Sequence, residues 1–306
     1  MEHIFNDYII FLLKFLTVIF GIILILKTSK GDLELPLKIK SLSKKYEEER
    51  KYLLKMFKIK VKKTKTKKIK KNNLFVLNFN GDMRASAVEG LRKEITALLP
   101  IIQANDQVMI KLESPGGTII DYGLAHAQLR RLRDKNIKLT VCVDRVAASG
   151  GYLMACVANH IIAAPFAYIG SIGVAMEMVN FHGLLKKHNV DTEVITSKKF
   201  KRTLTPLSKS TNEARAKVRD ELSVHQNQFE SAISRYRPHL DMNKVATGEY
   251  WCAENAIKIG LVDKLGTSDE FLLDKVEKFN IFEIQHPKSK SLKEKLFSKA
   301  KAYVGF

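Results

Sequence analysis

The sequence predicts an α/β protein in which helices flank a mainly parallel sheet. Two observations carry this. From Asn73 onward, short apolar or β-branched runs alternate with longer segments whose apolar residues recur at helical spacing. Two of the short runs end in glycine-rich turns, Glu113-Ser114-Pro115-Gly116-Gly117 and Ala147-Ala148-Ser149-Gly150-Gly151. Strand–helix alternation closes as a buried parallel sheet covered by helices, and ligand sites in such sheets lie beyond the carboxyl ends of strands.

The elements of the body, assigned to 73–285, follow in order. Leu74 to Phe79 reads as a strand. Ser86 to Gln103 reads as a helix with Val88, Leu91, Ile95, Leu98 and Leu99 on one face. Gln107 to Leu112 is the next strand and Tyr122 to Lys135 the next helix. Ile137 to Val143 and Gly150 to Ala158 repeat the unit, and Ile161 to Ala163 and Val190 to Thr196 read as further strands. Asn212 to Arg235 is a long helix mixing charges with Val218, Leu222, Phe229 and Ile233, a spacing suited to packing against a neighbour.

Ahead of the body, Tyr8 to Leu26 is an apolar run long enough to span a hydrocarbon core. Only Lys14 interrupts it, near enough to the end to snorkel. The acidic start (Glu2, Asp7) and the lack of a small-residue cleavage site after the run favour a retained anchor over a cleaved signal peptide. The expected organisation is an anchor over 1–30 with its span at 8–26, and a lysine-rich linker over 31–72. The body and a basic tail over 286–306 follow. Within the linker, Leu37 to Phe57 has helical amphipathic character, and Lys58 to Lys71 holds nine lysines.

The net charge of +20 is therefore concentrated in attachments to the body. The lysine block suits a solvated spacer or attraction to anionic lipid. No aromatic residues interleave it as a base-stacking platform requires, so no specific nucleic acid is expected. Lysines after the span place the body in the cytoplasm by the charge rule.

Ser149 sits at a strand-to-helix junction, where free backbone N–H groups and the helix dipole suit an acyl-transfer nucleophile. The same residues would equally suit an N-cap with glycines for packing. If the two glycine-bearing strands are neighbours, the N–H groups of Gly116 and Gly150 can both point at a carbonyl under attack by Ser149, as an oxyanion hole. The motif is not G-x-S-x-G, because Ala147 stands where the first glycine belongs. The base stays open: His126, His160, His182, His188, His225 and His239 are candidates, as is a lysine neutralised by burial. Cys142, Cys156 and Cys252 lie in apolar surroundings without ligand spacing. No metal or cofactor is expected.

Six blocks then carry a resemblance. L-E-S-P-G-G (112–117), D-R-V-A-A-S-G-G-Y-L-M-A-C-V-A (144–158), A-P-F-A-Y-I-G-S-I-G-V (164–174), K-F-K-R-T-L-T-P (199–206), A-T-G-E-Y-W (246–251) and G-L-V-D (260–263) occur in one order. Together they resemble the signal peptide peptidase A family of serine peptidases, most closely its SohB-type inner-membrane branch.

The resemblance implies a ClpP/crotonase-like fold and a Ser/Lys dyad, with Ser149 as nucleophile and Lys201 as base. It implies Gly116 and Gly150 as oxyanion donors; Ser171, in G-S-I-G, reads either as a residue that orients the lysine or as a turn serine. It also implies peptide or protein substrates, and a homo-oligomer in which a neighbouring protomer contributes the lysine. It puts the body on the periplasmic face of a bacterial inner membrane, against the charge rule. A crotonase-like acyl-CoA enzyme, or a membrane-tethered scaffold binding anionic partners through its lysines, shares parts of the pattern. Asp144, Trp251, Thr205 and Pro206 read as structural.

Overall fold

The computed structural model describes residues 2–28, 37–59 and 71–287, with side chains in the first stretch described for 6–21. The chain divides into two compact units, Met1–Pro36 and Leu37–Phe306.

The first unit holds helix α1, Glu2–Thr28. Among the described residues no helix is long and apolar enough to cross a membrane, so the expected transmembrane span is not supported. The rest of the expected span, 22–26, lies outside the residues whose side chains are described, as do most of the lysine block (60–70) and the tail from 288.

The second unit opens with strand β1 (Lys38–Ser41) and helix α2 (Leu42–Met56). Strand β2 is Asn72–Asn80, helix α3 Val88–Leu98 and strand β3 Gln107–Glu113. Helix α4 is Ile119–Asp134, strand β4 Lys138–Val143, strand β5 Val146–Ala148 and helix α5 Gly150–Ala155. Strand β6 is His160–Ala163, β7 Tyr168–Gly170, helix α6 His182–Lys187 and helix α7 Asn212–Tyr236. Helix α8 (Met242–Val245), strand β8 (Tyr250–Cys252), helix α9 (Ala253–Ala256), strand β9 (Lys264–Leu265), helix α10 (Ser268–Val276) and strand β10 (Phe279–Gln285) complete it.

Seven strands form the main sheet in the order β1-β10-β2-β3-β4-β6-β9. All pairs are parallel except the edge strand β1 against β10. Both faces are covered, which is why the strands read as continuous apolar runs rather than alternating ones. Phe75, Leu77, Val108, Ile110, Leu139 and Val141 pack with α3 and α4 on one face. Leu74, Val76, Met109, Cys142, Ile162 and Ile281 pack with Leu272 of α10 on the other, where Leu42 and Tyr46 of α2 also dock.

Two sequence expectations change here. The expected linker from 31 to 72 does not run free up to the body. Lys38 to Ser41 pair with Gln285 to Phe282 of β10, the Ser41 hydroxyl caps α2 by accepting from Lys44 N–H, and Ser43 Oγ accepts from Ile281 N–H at 2.8 Å. Val190 to Thr196 forms no strand. Its β-branched residues suggest one, but among the described residues no strand pairs with it, Val190 N–H donates to Leu185 O of α6 at 3.0 Å, and Ile195 stands 87% exposed.

A three-stranded sheet, β5-β7-β8, was not foreseen. It joins 146–148, beside the serine, to 168–170 and 250–252, in or next to two of the six blocks, and the bridge between Ala147 and Ser114 sets it against the end of β3.

Candidate active site

The two glycine turns are stitched together by backbone. β3 and β4 are parallel neighbours, with Gln107 opposite Lys138, as the oxyanion argument requires. Past the end of β3, Ser114 N–H donates to Val146 O at 2.8 Å, and Ala148 N–H donates to Ser114 O at 3.0 Å. Ser149 N–H donates to Gly170 O of β7 at 2.8 Å, and Ser149 O accepts from Leu153 N–H at 3.0 Å.

Those bonds hold Ser149 at φ 53° and ψ −121°, at the N-cap of α5, with no capping bond from its side chain. A non-glycine residue in such a region costs about 1–3 kcal/mol and persists only where its surroundings over-determine it. The N-cap reading of the serine therefore gives way: its hydroxyl is withheld from the helix it precedes. Gly150, as the first residue of α5, has its N–H outside the intrahelical ladder.

The glycines are close-approach residues. At Gly116, φ +92°, a Cβ would lie 2.7 Å from Ser149 Cβ and 2.8 Å from Gly150 N. At Gly150 a Cβ would lie 2.3 Å from the Tyr122 ring. Gly116 N–H donates to Ser114 Oγ at 3.1 Å. Tyr122 O–H donates to Asp82 O at 2.8 Å, which leaves the Ser114 hydroxyl donating to the Tyr122 oxygen. The expected Gly116 donor is thus engaged within its own turn, and it would have to exchange Ser114 Oγ for a substrate oxygen. Burial raises the Tyr122 pKa, which keeps this phenol protonated.

A cleft of about 570 Å³ opens over the serine, and Gly116, Gly150, Ser149, Ser171, His126 and Phe229 are among its lining residues. Ser171 sits at φ 51°, and its N–H donates to Glu249 O at 2.6 Å. Of the candidate histidines, His126 and His225 line the cleft. His126 Nδ1 lies 2.8 Å from Leu153 O, which makes Nδ1 the protonated nitrogen. Burial, ahead of the charges of Arg130 and Arg235, lowers its pKa and favours the neutral ring. His160 stands instead 3.8 Å from Asp263.

Lys201 is exposed, in a turn where its N–H donates to Lys198 O at 3.1 Å. It is not among the residues that line the cleft. Lys199 is held elsewhere, paired with Glu213 and lying over the Phe200 ring at 5.5 Å.

Sequence reasoning missed Tyr122, Ser114 and Phe229 as site residues, and named His126 only as one of six histidines with nothing to single it out. Tyr122 and His126, four apart on the helix that follows Pro-Gly-Gly, share one face and were the legible signal.

The residues read as structural are so placed. Asp144 accepts from Ser268 N–H and O–H at 2.8 and 2.5 Å, while its neighbour Arg145 pairs with Glu113 at 3.1 Å. Trp251 packs on Gly170, where a Cβ would lie 2.8 Å from the indole. Thr205 O accepts from Asn180 Nδ2 at 3.0 Å, and Pro206 O accepts from Phe181 N–H at 2.7 Å. Burial pushes the Cys142 and Cys156 thiols up to about 12. Among the described residues no group of His, Cys, Asp or Glu could hold a metal ion.

A strained serine kept off its own helix, beneath a glycine turn at the carboxyl end of a parallel sheet and open to a cleft, defines the class: an α/β protein with a serine-bearing cleft. Residues 131–281 match the model described as Peptidase family S49, and residues 3–129 match its N-terminal model. The chain is 48% identical over 226 residues to "Probable protease SohB" of Haemophilus influenzae, covering 74% of this chain and 64% of that one. It is 48% identical over 225 residues to the protein of the same description from Buchnera aphidicola, covering 74% of this chain and 67% of that one. The chain therefore belongs to peptidase family S49. It spans 64% to 67% of the length of these two relatives. A solved structure of the 1510-N membrane-bound stomatin-specific protease is similar at 15% identity and a TM-score of 0.46, over 76% of this chain and 100% of that one.

Proposed function

We propose that this chain is a membrane-anchored serine endopeptidase that uses Ser149 as nucleophile and Lys201 as general base. The observation that carries the reading is Ser149 itself, at φ 53° with an uncapped side chain in a cleft of about 570 Å³. The descriptions of the SohB relatives as proteases support it.

In this mechanism Lys201, neutral in a dry assembled site, takes the Ser149 proton, and the oxygen attacks the scissile carbonyl. The N–H of Gly150, joined by that of Gly116 once it leaves Ser114 Oγ, holds the oxyanion. The ammonium of Lys201 then protonates the leaving amine. The exposure of Lys201 outside the cleft supports delivery from a second copy of the chain. The substrates are extended peptides, such as signal-peptide remnants or membrane-associated proteins.

The apolar Tyr8–Leu26 run of the sequence supports anchoring, and the resemblance to SohB-type proteases supports a bacterial inner membrane as its site. A C-terminal reporter active on one side only decides between the periplasmic and cytoplasmic faces. The catalytic test is direct: Ser149→Ala abolishes both peptide hydrolysis and fluorophosphonate labelling, and hydrolysis retained by the pure variant sinks the mechanism.

One observation favours a second reading of the base. His126 lines the cleft with a neutral ring, so His126→Ala is assayed beside Lys201→Ala. Loss only with His126→Ala assigns the base to the histidine.

A further inference from the structure

A second cavity lies at the opposite end of the main sheet from Ser149. Gln107, Lys138, His160 and Lys264 are the first residues of β3, β4, β6 and β9, four parallel strands that adjoin in that order. All four line one cavity of about 620 Å³, closed by α10 and the residues just after it. Strand alternation puts Gln107, Lys138, Thr140 and His160 on the face that buries Met109, Cys142 and Ile162 beneath Leu272 of α10.

Lysine dominates the lining. Lys138 and Lys264 come from the sheet, Lys275 from α10 and Lys278 from just beyond it, with Asp274 the acidic residue among them. None of the four lysines has an ion-pair partner among the described residues. Lys275 is held in place over the rings of Phe271 and Phe279, at 5.3 and 5.5 Å. Burial first, then the charges of Lys138 and Lys278, lower its pKa, which shows how closely like charges are gathered. Thr140 is buried, and its hydroxyl has no side-chain hydrogen bond among the described residues.

A fold that gathers uncompensated cations around a pocket gains most from a compact, multiply charged anion. A lone carboxylate would leave most of the lysine charge unanswered, whereas a phosphate offers several acceptor oxygens and up to two charges to point-charge ammonium groups. From this we infer that the cavity is a binding site for a phosphate-bearing ligand, with Lys138, Lys264, Lys275 and Lys278 holding the phosphate and Thr140 donating to it. The source is either a soluble phosphate compound or the headgroup of an anionic phospholipid.

The test uses the full chain in neutral detergent, with inorganic pyrophosphate as the soluble probe and dihexanoyl phosphatidylglycerol, below its micelle concentration, as the headgroup probe. Affinities are measured by calorimetry. The double variant Lys138→Gln/Lys264→Gln alters two exposed lysines, and its melting temperature without probe checks the fold. Weakening of either probe by about tenfold or more supports the site. The probe that weakens names the source, and weakening of both leaves the tighter binder as the source. Unchanged affinity for both, or no binding of either by the unaltered chain, overturns the proposal. So does equal weakening by Lys244→Gln/Lys258→Gln, two lysines outside the cavity, since that reads bulk charge alone.

Discussion

Gly116 is folded against Ser149 so closely that a Cβ on the glycine would stand 2.7 Å from the Cβ of the serine. The contact is backbone against side chain at a φ of +92°, so neither partner can yield by changing rotamer. Gly116→Ala is therefore expected to cut the rate of Ser149 labelling by fluorophosphonate by about a hundredfold or more, with about 1–3 kcal/mol of lost stability. Labelling at the unaltered rate would show that this contact does not shape the nucleophile.

Ser149 stores strain that its own replacement can release. Glycine adopts φ 53° freely, whereas alanine does not, so Ser149→Gly should be more stable than Ser149→Ala by about 1 kcal/mol after the entropy of glycine is counted. Both variants should be inert to fluorophosphonate. Thermal melts of the two inactive proteins make the comparison, and equal melting temperatures contradict it.

Delivery of the base by a second copy predicts complementation. Ser149→Ala and Lys201→Ala are each expected to be inactive, and mixing them with subunit exchange should restore a measurable fraction of peptide hydrolysis. A mixture as inert as its parts rules out a shared site, given exchange demonstrated by differently tagged chains.

Arg237 and Asp263 form the ion pair that ties the end of α7 to the loop before β9. Arg237 is 4% exposed and donates to both Asp263 oxygens at 2.8 Å. Burial pulls the Asp263 pKa up, but Arg237 and the Ile161 N–H outweigh it and hold it below the usual carboxylate value. The pair's contribution is thus present above about pH 4 and lost as pH falls through the lowered value. Arg237→Met leaves the half-buried carboxylate with only Ile161 N–H and the nearby His160 and should cost about 2–4 kcal/mol at neutral pH, read from urea midpoints.

Glu94 works in the opposite sense. It is 5% exposed and accepts from His286 N–H at 2.7 Å, but its second oxygen has no partner among the described residues. Burial raises its pKa to about 7. The folded state therefore holds a proton that the unfolded state has released, and stability falls as pH rises from about 4.5 toward 7. Glu94→Gln should flatten that slope and gain about 1–2 kcal/mol at pH 8. Denaturation midpoints at pH 5 and 8 that differ as much in the variant as in the parent would contradict it.

Much of the molecule was legible before folding. Apolar runs at Leu74–Phe79, Gln107–Leu112 and Ile137–Val143 became β2, β3 and β4, because a strand buried on both faces must be apolar throughout. Val190–Thr196 carries the same β-branched signal yet forms no strand, since strand formation needs a neighbour and the run itself does not record one. The edge strand β1 was hidden for the converse reason. Lys38-Ile39-Lys40-Ser41 looks like linker and becomes strand only through pairing with β10, more than two hundred residues away.

The sequence by itself determined the α/β class, the glycine turns and the six blocks that place the chain in its family, because these depend on local composition and order. Tertiary structure alone decided that Ser149 is withheld from its helix, since that follows from the bond of Ala148 N–H to Ser114 O, just past β3, and of Ser149 N–H to Gly170 O of β7. It also decided that Gly116 N–H is engaged by Ser114 and that Lys201 is not among the residues lining the cleft over Ser149. The four lysines of the far cavity are scattered from 138 to 278. Their convergence was invisible until parallel pairing lined up the first residues of the strands, because side-chain proximity across a sheet is set by register rather than by spacing along the chain.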